Sequence, residues 1–179
     1  MRRLCLARCT TPLGEMLLAS EGEALVGAWF EGQRHYAAGV ECALAEQRET
    51  PPVRLAREWL AAYFDSPGLP PACPLPPLAP IGTPFQQAVW RLLRGIPYGG
   101  ATTYGALTEQ LRQSGIRASA QAVGNAVGRN RISLFIPCHR VLAASGALTG
   151  YAGGLSRKAA LLDMEARAMA PPPLASHFP

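Results

Sequence analysis

The 179-residue chain has no apolar run long enough to span a membrane, and its first stretch is too short and interrupted for a secretion signal. Met1 to Leu13 holds only a brief apolar patch that Arg8 breaks. Cysteine is sparse: five residues, an odd number without paired spacing, give no disulfide framework. Nor do they give a metal site. Cys5 and Cys9 fall on one face of a strand, but with His35 and Cys42 they match no common zinc spacing, so packed thiols are expected. A phosphate-loop lysine and a dinucleotide fingerprint are also missing. These absences leave a protein of a reducing, cytoplasmic compartment with one good core or two small ones and no membrane partner.

Acids are scarce in the second half. Residues 83–179 carry ten basic side chains against only Glu109, Asp163 and Glu165, a net of +7, whereas residues 1–82 carry seven arginines against nine acids, a net of −2. A basic half with few acids is what a nucleic-acid partner requires, because phosphate neutralisation drives affinity. A merely solubilising surface is the competing explanation.

Residues 3–9, 14–19 and 24–30 read as strands, the first two separated by a turn at Thr10-Thr11-Pro12-Leu13-Gly14. Ala56, Trp59, Leu60, Tyr63 and Phe64 fall at helical spacing and predict a helix over 53–64 laid on that sheet. Residues 1–66 thus form a small α/β scaffold domain. Ser66 to Pro84 contains eight prolines, which excludes helix and central strand and marks 67–82 as a semi-rigid connector. The period then turns helical. Phe85, Ala88, Val89, Leu92 and Leu93 make one helix ended by Gly95 and Pro97, and Tyr104, Leu107 and Leu111 a second, closed by Ser114-Gly115. A third runs from about Ala118 to Val127. The last two fit a helix-turn-helix, and by spacing alone any αα-hairpin equally. A final helix over about 155–168 packs Leu155, Ala159 and Leu162 inward and carries Glu165, so the second domain covers 83–169 and a disordered tail 170–179.

The chemistry gathers at Leu134-Phe135-Ile136-Pro137-Cys138-His139-Arg140-Val141. Three apolar residues read as a buried strand that Pro137 ends, followed at once by a thiol beside an imidazole. Thiols react as thiolates, and a neighbouring histidine is the common device for making one. The alternative is a structural cysteine, a frequent fate of free thiols, but Pro, His and Arg are poor company for a core position. The third helix is unusual in being small and uncharged, with Ala118, Ser119, Ala120, Gln121, Ala122, Gly124 and Asn125. Such a surface suits either tight packing on a neighbouring helix or close groove contact on DNA with little sequence preference. Ala143 to Ala147 reads as a turn between short strands, a wing, and Thr149 to Gly154 as a glycine-rich loop open to a planar ligand.

Ile136-Pro137-Cys138-His139-Arg140-Val141 resembles the signature of the O6-alkylguanine-DNA alkyltransferase family. The surroundings agree in order and spacing: Phe85-Gln86-Gln87-Ala88-Val89-Trp90, then Tyr104, Ala122-Val123-Gly124, Asn130 and Thr149-Gly150-Tyr151-Ala152-Gly153-Gly154, with Thr11-Pro12-Leu13-Gly14 near the start. The resemblance implies a ribonuclease-H-like α/β N-terminal domain and a mainly α, winged-helix-like (helix-turn-helix) C-terminal domain. It implies a partner, double-stranded DNA containing O6-alkylguanine, with the damaged base flipped out because its target atom is unreachable in the stack. Cys138 becomes the nucleophile, His139 takes its proton through water, and Glu165 orients the imidazole. Tyr104 donates to the base ring, the Ala152 amide bonds O6, and the carbonyls of Cys138 and Val141 accept from the exocyclic amine. Tyr151 and Gly153 complete the base pocket, and Asn130 braces the turn under the cysteine. Ala120, Gln121, Ala122, Gly124, Asn125, Arg129 and Ser145 would meet DNA. The thioether product is not reversed, so one turnover per molecule is expected, with no metal, no cofactor and no obligate protein partner.

One departure stands out. Many relatives carry arginine where this chain has Gln121, filling the gap left by the extruded nucleotide, so slower repair is expected here. At its extreme this gives an alternative function, a sensor that binds alkylated DNA with little repair. A cysteine hydrolase would draw Cys and His from distant segments, and a non-catalytic winged-helix regulator would leave Cys138, His139 and Glu165 without a task.

Overall fold

A computed structural model describes residues 4–40 and 45–167; Cys42 and the 170–179 tail lie outside the described residues. Strands β1 (Leu4–Thr11), β2 (Gly14–Glu21) and β3 (Ala24–Phe30) form an antiparallel meander, and the two-residue β4 (Glu46–Gln47) joins β1 in parallel, giving the order β3-β2-β1-β4. The first turn is tighter than its composition indicates: Thr11 pairs with Gly14, so only Pro12 and Leu13 loop out. Gly14 takes φ +114°, a value open to glycine, and Thr11 Oγ1 ties the turn by donating to the Gly14 carbonyl at 2.7 Å.

Strand alternation sorts the sheet into two faces. Ala7, Met16, Leu18, Ala28 and Phe30 meet Val53, Ala56, Trp59, Leu60 and Tyr63 of α1 (Pro51–Asp65). Leu6, Leu17, Ala19, Val26 and Trp29 form a smaller cluster on the opposite face. A register shift between Ala19 and Ser20 lets Leu25 and Ala28 share the α1 side despite their odd spacing. Gly27 is needed there, since a Cβ would stand 1.9 Å from the Trp29 ring.

The outer edge of β3 is where the two halves of the chain join. The proline-rich connector pairs at one end, with the Leu25 amide donating to the Pro77 carbonyl at 2.8 Å and the Ala79 amide to the Leu25 carbonyl at 2.9 Å. At the other end the Ala28 amide donates to Arg131 and the Ser133 amide to Ala28, both at 2.8 Å. Proline is tolerated on such an edge because alternate backbone groups need no partner. The segment leading to Cys138 is therefore docked directly on the N-terminal sheet.

Helices α2 (Pro84–Arg94), α3 (Tyr104–Gln113), α4 (Ala120–Gly128) and α5 (Leu155–Ala166) make up most of the second half. Thr83 and Gln86 start α2 with a reciprocal capping box, and Thr103 and Ser119 cap α3 and α4 through their hydroxyls. The Trp90 indole donates to the Ala126 carbonyl at 2.9 Å, pinning α2 to α4. Buried apolar residues from Ala7 to Leu161 form one continuous cluster through both halves.

Three expectations are corrected. Leu134 to Ile136 is buried but is no strand: it is a tight turn in which Leu134 takes φ +72° and the Ile136 amide returns to the Ile132 carbonyl at 3.0 Å. The wing is also different. Ala143 to Ala147 does turn, but β6 (Val141–Leu142) finds its partner upstream, pairing in parallel with β5 (Thr102–Thr103). The inward face of α5 is Lys158, Leu161 and Glu165, not Leu155, Ala159 and Leu162, because polar partners, rather than apolar periodicity, decide which face is buried. Among the described residues no helix is long and apolar enough to cross a membrane.

Candidate active site

The turn places Cys138 at the start of a 3₁₀ turn, Cys138–Arg140, where its amide donates to the Ile136 carbonyl at 2.8 Å. Asn130, just beyond α4, sits under it with both its amide nitrogen and its amide oxygen engaged. Its Nδ2 donates to the Ile136 carbonyl at 2.8 Å, to Cys138 Sγ at 3.0 Å and, at a longer 3.4 Å, to the Ile132 carbonyl, and its Oδ1 accepts from the Ile132 amide at 3.0 Å. One amide therefore closes the turn and points a donor at the sulfur.

Burial is far deeper than the polar sequence indicates. Cys138 is 3 % exposed, His139 0 % and Arg140 7 %, which overturns the inference that such residues are poor company in a core. Their tolerance has one cause, Glu165 on α5. Its carboxylate accepts from His139 Nε2 at 2.9 Å, from Arg140 Nε and Nη2 at 2.8 Å each, from the Tyr63 hydroxyl at 2.5 Å and from the Gly99 amide at 3.2 Å. Buried charges persist when paired and fully hydrogen-bonded, and here an acid, an arginine and a histidine satisfy one another.

The electrostatics follow. Burial alone pushes the Glu165 carboxyl up, but the hydrogen bonds and charges of His139 and Arg140 overcome it and hold the group well below the usual carboxylate range. Burial pulls His139 down from 6.5, against the lift from Glu165, so its ring is neutral at pH 7. Burial likewise pushes the Cys138 thiol up, opposed by the Asn130 hydrogen bond, the Lys158 charge and the amides of the 3₁₀ turn. The resting pair is a neutral thiol beside a neutral imidazole. Among the described residues His139 Nδ1 makes no hydrogen bond, to Sγ or to anything else.

The chain's one lysine, Lys158, is buried next to this pair. Its ammonium donates to the Val141 carbonyl at 2.5 Å and the Thr149 carbonyl at 2.6 Å, fixing both ends of the loop that follows the cysteine. Across that loop the Tyr104 hydroxyl donates to the Thr149 and Gly150 carbonyls at 3.3 Å each. Tyr151 is buried, its hydroxyl has no hydrogen-bond partner among the described residues, and its ring stands 6.4 Å from that of His139. Gly153 lies under it, where a Cβ would meet the ring at 2.6 Å. The Ala152 carbonyl accepts from the Arg34 amide at 2.9 Å, so the N-terminal half also holds this loop.

The structure thus brings Cys138, His139, Glu165, Asn130, Val141, Tyr104, Tyr151, Ala152 and Gly153 into one neighbourhood. Ala120, Gln121 and Asn125 form the exposed face of α4, Ala122 and Gly124 are half-buried, and Arg129 and Ser145 are exposed. A cleft of about 190 Å³ lies between α4 and the loop, lined by Arg34, His35, Asn125, Arg129, Tyr151 and Ala152 among others. Sequence reasoning missed Arg140, Lys158, Tyr63 and Arg34. For Arg140 the signal was its place directly after the Cys138-His139 pair, and for Lys158 its being the chain's one lysine; for Tyr63 and Arg34 no local signal exists. Among the described residues, no group of three His, Cys, Asp or Glu side chains could hold a metal ion.

Comparison with known proteins fits this geometry. Residues 84–167 match the DNA-binding domain of 6-O-methylguanine DNA methyltransferase. A methylated-DNA–protein-cysteine methyltransferase of Haemophilus influenzae is 41% identical over 155 residues, 87% of this chain and 82% of that protein. The crystal structure of the Mycobacterium tuberculosis O6-methylguanine methyltransferase is 35% identical and superposes with a TM-score of 0.76 over 96% of this chain and 97% of that one. That of the M. tuberculosis OGT protein in complex with DNA is 36% identical, with a TM-score of 0.76 over 92% and 94% of the two chains.

Proposed function

Since the chain belongs to the methylated-DNA–protein-cysteine methyltransferase family, it repairs DNA by moving an alkyl group onto one of its own cysteines, and we propose that Cys138 is that cysteine and O6-alkylguanine in duplex DNA its substrate. The observation that carries the assignment is the linked set Asn130–Cys138 and His139–Glu165–Arg140, which surrounds one buried sulfur with a hydrogen-bond donor and a neutral base.

The thiol proton passes to His139 Nδ1. The lack of a direct bond to Sγ fits transfer through one water, and Glu165 on the opposite nitrogen stabilises the imidazolium. The thiolate attacks the alkyl carbon, an S–C bond forms, and the C–O6 bond breaks with its electron pair left on guanine. Guanine is a poor anionic leaving group, so it takes a proton as it departs. Tyr104 supplies that hydrogen bond by turning from the Thr149 and Gly150 carbonyls to the base, and the thiol proton makes good the balance through His139 and solvent. The Ala152 amide takes O6 and the Val141 and Cys138 carbonyls take the exocyclic amine. Lys158, already on the Val141 carbonyl, keeps that acceptor in place.

DNA lies along Ala120, Gln121 and Asn125, with Ala122 and Gly124 small enough for close approach and Arg129 and Ser145 beside the strand. We read the chain as a ribonuclease-H-like domain over 1–66, a connector over 67–82 and a winged-helix-like domain over 83–169, acting in the cytoplasm with the DNA. The sensor alternative is not favoured, because the nucleophile and its relay are complete.

The deciding experiment mixes the protein with a duplex carrying one O6-methylguanine and weighs both. A gain of one methyl, mapped to Cys138 and stopping at one per molecule, is expected. Unchanged protein mass with tight binding would establish the sensor instead, and more than one lesion cleared per molecule would refute single turnover.

A further inference from the structure

We infer that Tyr63, on α1 of the N-terminal half, is a positioning residue of the Cys138–His139–Glu165 relay, so the N-terminal half is part of the reaction centre rather than a scaffold beside it. The inference rests on the assignment of Cys138 and His139 above. Tyr63 Oη donates to Glu165 Oε1 at 2.5 Å, across 102 residues of sequence, and the same oxygen holds His139 Nε2 at 2.9 Å. The tyrosine is buried, and its ring is fixed on three sides. It stacks on Trp59 with centroids 5.0 Å apart and meets Phe64 and Tyr98 edge-on at 5.1 and 5.8 Å. A hydroxyl so held is a preset donor with little freedom to leave.

Its effect has a sign. A donor on Oε1 spreads the carboxylate charge and lessens its pull on the His139 proton. Other groups face the same atoms: Arg140 and the Gly99 amide on Glu165, with the Tyr98 ring under the Arg140 guanidinium at 5.6 Å, and Lys158, Arg140 and Tyr151 around His139. Arg140 and Lys158 oppose a charge on His139, and Glu165 favours it. Tyr63 stands on the side of Arg140 and Lys158 by weakening Glu165. Without its hydroxyl the imidazole becomes more basic, and it is occupied by a solvent proton over a wider range of pH.

The test is Tyr63→Phe, which keeps the ring and its packing. Single-turnover methyl transfer from an O6-methylguanine duplex is followed from pH 5 to 9 for native protein and variant. The acid limb of the variant is expected to move up by about one pH unit, a tenfold change in proton affinity, with duplex affinity unchanged. A purely structural role would lower the rate evenly at every pH. Superimposable limbs would overturn the inference while leaving the Cys138 assignment intact, and no methyl transfer by native protein would overturn the assignment itself. A second readout needs no variant fold. In native protein the Tyr63 hydroxyl proton, bonded to a carboxylate, should give a far-downfield proton resonance assigned through the ring, and its absence would also refute the inference.

Discussion

Removing the Asn130 side chain tests how one amide serves both the fold and the sulfur. In Asn130→Ala four contacts vanish, but they do not cost alike. The Ile136 carbonyl keeps the Cys138 amide and the Ile132 carbonyl keeps the Ile136 amide, whereas the Ile132 amide has Oδ1 as its only acceptor among the described residues. One orphaned buried donor costs about 1–3 kcal/mol, and the lost bond to Ile136 adds about 1 kcal/mol. The brace also holds Leu134 at φ +72°, a conformation that a branched side chain avoids. The expected loss is therefore roughly 2–4 kcal/mol, read as a lower urea midpoint at unchanged slope and a melting temperature lower by about 5–15 °C. Asn130→Asp separates the two tasks. It keeps an acceptor for the Ile132 amide but turns an anionic oxygen toward Cys138 Sγ and the Ile136 carbonyl, so the thiol should become harder to ionise. Methyl transfer should then fall further in Asp than in Ala relative to what each retains in stability. Timed quenches with the methylated duplex give the rate, and iodoacetamide alkylation against pH gives the thiol ionisation. If Ala unfolds within about 0.5 kcal/mol of native protein, or if Asp ionises its thiol as easily as native protein does, the account of Asn130 is wrong.

Two further outcomes are expected. Gln121, exposed on α4, is shorter and neutral where the family resemblance implies an arginine, so Gln121→Arg should quicken single-turnover repair, and equal rates would show that the glutamine is no handicap. Acid should destabilise the fold in two stages. The native His139 proton affinity is depressed, so from about pH 6.5 downward the unfolded chain binds a proton that the native chain refuses, and stability falls. Glu165 is depressed too, so a second loss begins near pH 4.5 and runs to the low folded value. The slope should not exceed about 1.4 kcal/mol per pH unit per group, and a urea midpoint unchanged between pH 7.5 and 5 would contradict the neutral, buried histidine.

Much of the molecule is legible in its sequence, and the limits have physical causes. The three strands, the helix on them and α2 to α4 follow from local period, because each buries one face against its own neighbours. What periodicity misreads is the core around Glu165. Leu155, Ala159 and Leu162 look like the inward stripe of α5, yet Lys158 and Glu165 are the residues enclosed, since carbonyls of the loop and donors from three other segments await them. Nothing local at Lys158 announces the Val141 and Thr149 carbonyls. Tyr63 is unreadable for the same reason. Its helical spacing predicts burial correctly, but its partner lies 102 residues away. The resemblance carried the nucleophile and its base; the structure adds the cations and the phenol that make their burial tolerable.

Under the proposed assignment of Cys138, that burial bears on why the reaction would run once. Glu165 and Arg140 already cancel, so the resting centre holds a neutral thiol and a neutral imidazole, with the Lys158 ammonium held by two carbonyls and its charge left over. A thiolate formed by losing its proton to bulk water would have to be held, without water around it, in a site only 3 % exposed at the sulfur-bearing residue. Passing the proton to His139 instead creates an ion pair, with Lys158 and Asn130 beside the anion and Glu165 beside the cation, and low dielectric strengthens each of those attractions. Transfer of the alkyl group then removes the anion, because a thioether carries no charge and no exchangeable proton. His139 can return its proton to solvent, but it can never again take one from Cys138. The same enclosure that makes the thiolate accessible only through its neighbour leaves a product on which that neighbour has nothing to act.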